Sequence, residues 1–514
     1  MPPGASLAFY DRIAAVHSAL TSTRGNCLLD DPPRRAVSPR LRRAGMAGFA
    51  FSARATQQVS AFVITLLAAR FLLPAEYGVY TLSVVFVMFI QMMTYTGFYH
   101  FIINDKAEDD AVLSTSFWLI VGLASGASGL IALAAPMLAR VFDAPALGPV
   151  LLLLIAAQPL AAVSAWYTAA LLRRRAMRAH YVIMFAQNLA ALVGGAVLLW
   201  SWQSVMALVA FRYLRVLVGL VLYFAVSPDR PHLRFDPALA RRAMRFASGL
   251  YGAKGMEFLS RYSADLLLGL MFSTAEAGLY RFGSRIATAA TDIVTSTMQA
   301  FALTQFGAAA RADGDLAAVL RRFTGTITLL TGGVAAVIVV LVDDVVTAFF
   351  DPAYLAAVAV AYAIAVRAAV KTGSVLIAPA LAAAGRTGAV MSFATLSMVV
   401  SVAATFGAAP FGLVAVAWGQ AAATMVLTFA GLWWLRRRTG MRIGGAVRAF
   451  AVAGALALTY GAVLELGVVW IGAAAGLSPV AEIWAGMALA AVLAVPTLFA
   501  GRALRVFTLG VFSG

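Results

Sequence analysis

Four ionisable residues, Lys254, Glu257, Arg261 and Asp265, follow one another at spacings of three, four and four. On an α-helix these spacings set all four on one face with alternating sign. Two readings stay open at this stage. The ladder pairs with itself and lets a polar helix line water. Alternatively, Lys254 and Arg261 bind an anion while Glu257 and Asp265 tune them or carry a proton. Other cations recur one turn apart: Arg281 with Arg285, and Arg367 with Lys371, the latter pair with no acid within a turn. Arg54 is followed one turn on by Gln57 and Gln58, which extends a polar stripe. The planar fork of arginine donors matches phosphate geometry. The chemistry these residues suggest is the capture of an anion, not the cleavage of a bond.

The elements that must position them are apolar. The chain has 514 residues, of which 62% are hydrophobic and only 12% charged, with mean hydropathy +0.88. Soluble domains carry about 25% charged residues. A soluble enzyme, a coiled coil, a disulfide scaffold and a disordered chain are therefore excluded, leaving a polytopic helical membrane protein. Runs of bilayer-crossing length are expected at 46–69, 78–100, 112–139, 147–172, 181–201, 204–226, 246–271, 278–303, 324–348, 354–383, 388–408, 411–435, 449–471 and 480–501. The fold class is all-α with about 14 spans. Continuous rather than alternating apolar runs exclude a barrel.

Charge gives the orientation. With the N-terminus cytoplasmic, the inside segments hold 28 Lys and Arg, and the outside loops hold only Arg70 and Arg140. That asymmetry predicts both termini inside. The net charge of +17 is then a loop property, and no nucleic-acid partner is expected. Nine cations remain within spans: Arg54, Arg212, Arg215, Lys254, Arg261, Arg281, Arg285, Arg367 and Lys371. Against Glu257, Asp265 and Asp292 they leave about +6; adding Asp343 and Asp344 leaves about +4. Buried charges of this kind are functional candidates by default. The first six spans hold Arg54, Arg212 and Arg215 but no Asp or Glu, while Glu76 and Asp143 are expected in loops. The single cysteine, Cys27, and four scattered histidines (His17, His100, His180, His232) offer no metal site. No nucleotide-binding loop, GxSxG elbow, kinase set or metal motif occurs, so neither cofactor nor enzymatic activity is expected. Short outside loops leave no room for a catalytic domain there.

An internal repeat divides the chain. Ala75-Glu76-Tyr77-Gly78-Val79-Tyr80 recurs 200 residues later as Ala275-Glu276-Ala277-Gly278-Leu279-Tyr280, each copy expected in the short outside loop before the second span of a block. Blocks of six spans cross in the same sense, so the repeat is parallel. The expected organisation is a polar tail at 1–45, with Met46 an alternative start; an N-lobe at 46–226; a cytoplasmic linker at 227–245; a C-lobe at 246–435 around a central cleft; and two further helices with a tail at 436–514.

These features resemble the multidrug/oligosaccharidyl-lipid/polysaccharide (MOP) flippase superfamily, and within it the O-antigen and exopolysaccharide lipid flippases. The resemblance is carried by Ala69-Arg70-Phe71-Leu72-Leu73-Pro74 running into the first repeat copy, by Leu171-Leu172-Arg173-Arg174, and by Ala264-Asp265-Leu266-Leu267-Leu268-Gly269 before the second copy. It spans about residues 46–440. It implies a V-shaped, two-lobed protein of the bacterial inner membrane that alternates between inward and outward openings. The implied cargo is undecaprenyl-diphosphate-linked oligosaccharide, with membrane lipids and the polymerase and ligase of the same route as partners. Arg54, Gln58, Lys254, Arg261, Arg281, Arg285, Arg367 and Lys371 are the expected substrate contacts, and Glu257 and Asp265 the expected ion-coupling acids. Related lipid II flippases carry cations in helices 1, 2 and 8. Span 2 here has only Gln91, Tyr95 and His100, which argues against lipid II as cargo. The alternative is a drug/cation antiporter of the same superfamily, which would favour an acid in the N-lobe. A polymerase or ligase would favour a long periplasmic loop.

Overall fold

The computed structural model describes residues 56–105, 107–312 and 314–508. Its helices, numbered along the chain, begin with α1 (56–71), α2 (Pro74–Asn104), α3 (Asp109–Val141), α4 (Leu147–Ala156), α5 (Gln158–Arg173), α6 (Met177–Trp202) and α7 (Val205–Val226). The second half contains α8 (Pro237–Met271), α9 (Thr274–Arg311), α10 (Leu316–Phe349), α11 (Ala356–Lys371), α12 (Ile377–Ala383), α13 (Thr387–Ala408) and α14 (Leu413–Thr439). The last two are α15 (Gly444–Ala475) and α16 (Pro479–Ala503). No strand occurs among the described residues. The all-α reading holds, and among the described residues the expected spans fall mainly on helix.

Ten of these segments are long and apolar enough to cross a membrane, with α4 and α5 together forming one. The four other expected spans are helical but depart from that pattern for physical reasons. Only 16 residues of α1 are described. Helices α8 and α9 carry the ionic residues. The expected tenth span is interrupted between α11 and α12, where residues 372–376 form turns. There Thr428 Oγ1 donates to the Val370 carbonyl at 3.3 Å, and the Thr328 and Thr372 hydroxyls pair at 2.9 Å. These bonds satisfy groups that a broken helix leaves in an apolar setting. The expected fourth span is likewise broken at Ala157, ahead of Pro159.

The repeat has a structural meaning that the sequence did not disclose. Its residues are not loop but the first turns of α2 and α9. Glu76 and Glu276 occupy the third helical position, where each carboxylate accepts the backbone N–H of Leu73 (3.3 Å) or Ser273 (3.0 Å). Ser273 Oγ accepts the Glu276 N–H in return, completing a capping box. The glycines then bring the two halves together. A Cβ at Gly78 would lie 1.8 Å from the Thr274 carbonyl oxygen, and one at Gly278 would lie 2.1 Å from that of Pro74. The approach is reciprocal, as a parallel repeat requires, and only glycine permits it.

Helix α2 runs antiparallel along α8. Leu82 meets Gly269, Phe89 meets Phe258 with ring centroids 5.6 Å apart, and Gly97 meets Ala247. Tyr251 Oη donates to the Met93 carbonyl, and Phe101 meets Phe246 at 5.9 Å. The two halves are therefore zipped along this seam from one end of α2 to the other. The last helices attach to the second half: α15 packs along α10, and α16 on both.

Helix α8 begins at Pro237, ahead of the expected 246, with Asp236 capping the Ala238 N–H at 2.8 Å. The segment before it is strapped to α3. Arg174 pairs with the buried Asp229, and His232 and Arg234 pair with Asp110. Arg234 also reaches Glu108 (3.1 Å), and Arg242 reaches Asp105 (2.6 Å). Arg173 contacts Asp109 at 2.7 Å and donates to the carbonyls of Ile102, Asp105 and Ala107. Several arginines counted for topology are thus also the counter-ions of the acidic turn between α2 and α3.

Candidate functional site

The charged helices α8 and α9 meet at a tight turn whose caps are set by Phe272 and Ser273. That turn folds Asp265, near the end of α8, back onto Arg281, in the second turn of α9. Arg281 Nη1 donates to Asp265 Oδ2 at 3.0 Å. Asp265 is mostly buried, and Arg281 is 34% exposed at its side chain. The pair unites a residue expected to couple ions with one expected to bind substrate. Sequence spacing sets Asp265 one turn from Arg261, whose side chain is outside the described set; the fold adds an arginine from the next helix.

A second centre adjoins it. Arg367, on α11, donates through Nε to Thr424 Oγ1 at 3.3 Å and through Nη1 to Gln420 Oε1. The same Gln420 oxygen accepts the Tyr280 hydroxyl at 3.3 Å, while Gln420 Nε2 donates to Thr405 Oγ1 at 2.9 Å. Gln420 is almost wholly buried. One amide thus ties α9, α11, α13 and α14 together and orients a guanidinium. Tyr280, bonded to Gln420, and Arg281, bonded to Asp265, are consecutive residues of α9, so the two centres are neighbours. Sequence reading did not single out Gln420, and it took Tyr280 only as part of the repeat. For Gln420 the only signal was a polar side chain in an apolar run.

The other expected residues are dispersed. Arg285 lies one turn beyond Arg281, half-buried and close enough to act on the Tyr77 hydroxyl. Lys254 is half-buried on α8. Lys371, expected in mid-span, instead ends α11 and is exposed, because the helix stops there. A cation at that position complements the carbonyl end of a discontinuous helix. Gln58 is exposed on α1. Glu257 and Arg261 lie on α8, but their side chains are outside the described set, and Arg54 lies outside the described residues altogether. In the first half Gln91 pairs with the buried Gln158 at 3.1 Å. Arg212 and Arg215 on α7 have no carboxylate partner among the described residues, and Arg215 acts on Tyr80 and Tyr223. Arg367 likewise lacks one. Aromatic groups accompany them: Tyr95 beside Tyr99 (4.9 Å) on α2, Phe258 beside Tyr262 (4.9 Å) on α8, and His180 Nδ1 within 3.1 Å of Tyr223 Oη.

A buried polar cluster with cations in excess, carried on discontinuous and ionic helices, fits ligand transit better than bond chemistry. Residues 67–359, which include α8, α9 and the Asp265–Arg281 pair, match the family model of polysaccharide biosynthesis proteins. The chain belongs to this family. A succinoglycan biosynthesis transport protein, ExoT of Rhizobium meliloti, is 25% identical over 248 residues. That match covers 48% of this chain and 50% of ExoT, so the chain spans half the length of that curated relative. Among solved structures, the lipid II flippase MurJ in an inward closed conformation aligns with TM-score 0.67 at 11% identity. That alignment covers 88% of this chain and 98% of MurJ. An inward-facing multidrug resistance transporter of the MATE family within the MOP superfamily aligns with TM-score 0.63 at 12% identity, over 75% of this chain and 94% of the other. The fold is that of the MOP superfamily, as the sequence resemblance implied.

Proposed function

We propose that this protein moves an oligosaccharide linked to undecaprenyl diphosphate across the bacterial inner membrane, from the cytoplasmic to the periplasmic leaflet, by alternating access. The observation that carries the reading is a family chain whose membrane segments hold more cations than acids, with no carboxylate partner for Arg215 or Arg367 among the described residues. Surplus positive charge in a low-dielectric setting stabilises an anion such as a diphosphate. The name of ExoT, a transport protein of succinoglycan biosynthesis, supports the same cargo class. Arg54, Lys254 and Arg261 take the diphosphate in this scheme. Arg281, Arg285, Arg367, Lys371 and Gln58 line its route, and the aromatic rings flank the glycan. The prenyl chain stays in lipid. The Asp265–Arg281 pair is the coupling element, with Glu257 beside it: protonating Asp265 frees Arg281 to meet the anion. Both termini lie in the cytoplasm, and the polymerase and ligase of the route act on the delivered glycan. A drug/cation antiporter is less well supported, since no acid lies in the interiors of the N-lobe spans to meet a cation.

The test is deletion of the gene, followed by complementation with the unaltered protein, Arg54→Ala and Arg54→Lys at equal expression. The surface polysaccharide and the leaflet holding the lipid-linked oligosaccharide are scored. Accumulation on the cytoplasmic face, relieved by the unaltered protein but not by Arg54→Ala, is expected. Normal polysaccharide in a deletion strain with no second flippase would overturn the reading.

A further inference from the structure

A cavity of about 530 Å3 opens where α12 passes into α13 beside the end of α14, away from the central cluster. Gly385, Arg386, Gly388 and Ser392 line one wall, and Arg437 and Arg438 the other, with no acidic residue. Gly385 takes a φ of +72°, which turns the chain so that Arg386 faces the two α14 arginines across the cavity. Arg437 stacks over the Trp433 ring at 4.1 Å, and Arg438 over Trp434 at 5.0 Å. Stacking leaves the N–H fork in the ring plane's margin free to donate. Among the described residues the three side chains have no ion-pair or hydrogen-bond partner. This sets them apart from Arg173, Arg174, Arg234 and Arg242, whose charges are met by acids.

The second observation is an apolar track. Trp418, Ala422, Val426, Phe429 and Trp433 form one exposed stripe along α14 at spacings of four, four, three and four, and Arg437 continues it into the cavity. A hydrocarbon chain laid along that stripe would carry its headgroup to the three guanidinium groups. Positive-inside topology explains why arginines cluster at this end. It does not explain a concave, acid-free site with two of them stacked on indoles at the end of a lipid-facing stripe.

We infer that this cavity binds the phosphate of a lipid headgroup, with Arg386, Arg437 and Arg438 as donors and the α14 stripe as the seat of the lipid chain. The site is separate from the central cluster and does not depend on the transport reading. On the orientation proposed above, it faces the cytoplasmic leaflet.

The test is native mass spectrometry of the full-length purified chain titrated with dioleoylphosphatidylglycerol, with dioleoylphosphatidylcholine and inorganic pyrophosphate as separate arms. At roughly fivefold per arginine, R386Q/R437Q/R438Q should weaken phosphatidylglycerol binding by about a hundredfold. R386K/R437K/R438K keeps the charge and insertion signal but loses the fork, and should weaken it by about tenfold. The control R502Q/R505Q, which removes two charges outside the cavity, should leave binding unchanged. F429A, which keeps all three arginines and both stacked indoles, should weaken the lipid and leave pyrophosphate unaffected. Equal affinity in the unaltered, glutamine and lysine proteins would overturn the site. So would equal weakening by the control pair. Pyrophosphate binding as tight as the lipid would overturn the lipid occupant in favour of a free anion. Tight phosphatidylcholine binding with no loss in the variants would reduce the stripe to ordinary bilayer contact.

Discussion

The reciprocal glycine crossing makes a quantitative prediction. In Gly78→Ala the new methyl would start 1.8 Å from the Thr274 carbonyl oxygen, whereas ordinary contact begins near 3.4 Å. The obstacle is backbone in a capped first turn, so no side-chain rotation relieves it. Helices α2 and α9 must part by about 1.5 Å at that end, or the joined state must bear the overlap. Overpacking of this kind costs about 1–3 kcal/mol, which shifts the joined state against the parted one by roughly 5- to 150-fold. The better helix propensity of alanine, worth about 1 kcal/mol, acts on both states and cancels from this ratio. Gly278→Ala should behave alike, and the double variant should cost less than the sum, because the first substitution has already separated the helices. Position 277 reports the separation: Ala277 is only 9% exposed in the joined arrangement. An Ala277→Cys reporter in a Cys27→Ser background should react with a hydrophilic maleimide several-fold to a hundredfold faster when Gly78→Ala is added. An unchanged labelling rate in a well-folded Gly78→Ala protein would refute the claim that this crossing holds the end shut.

Asp265→Asn leaves Arg281 without its counter-ion in a partly buried place. The cost should be roughly 1–3 kcal/mol, below that of a fully buried pair because Arg281 is one-third exposed; a thermal shift in detergent measures it. D265N/R281Q should recover most of that stability, but transport should stay impaired if the pair couples ions, and recover if the pair is only structural. Gln420→Leu removes the shared acceptor of Tyr280 and Arg367, so transport should fall at least tenfold. Arg367→Lys should not restore it, as scored by complementation. Asp105→Asn should lower stability by less than about 1 kcal/mol, since the Arg242 side chain is 55% exposed. That effect should vanish in high salt.

The all-α fold was legible because hydropathy and helix length are local properties. The repeat was legible because it preserves Glu76 with Glu276 and Gly78 with Gly278. The role of those residues was not legible. A glycine is chosen here by a carbonyl on the other half of the molecule, and nothing local reports that carbonyl. The contact between Asp265 and Arg281 was not legible for a related reason. Helical spacing points only to residues one turn away, whereas the α8–α9 turn brings Arg281 from sixteen positions on. Lys371 was placed in mid-span because apolar residues flank the short Thr372-Gly373-Ser374 stretch on both sides; Thr328 and Thr428 on neighbouring helices bond at the break. Gln420 carries no charge, so counting buried ions passed over it, although it holds the guanidinium that the count did find.

On the proposed function, the surplus cations serve to carry a diphosphate across the bilayer. The most direct measurement reconstitutes the purified protein into liposomes bearing a fluorescent undecaprenyl-diphosphate-linked oligosaccharide and follows the fraction reached by an impermeant quencher. The account predicts that the protein raises this fraction above that of protein-free liposomes, and that Arg367→Ala and Arg281→Ala abolish the rise while remaining folded. An unchanged fraction with folded protein, or a rise that persists without either arginine, would contradict it.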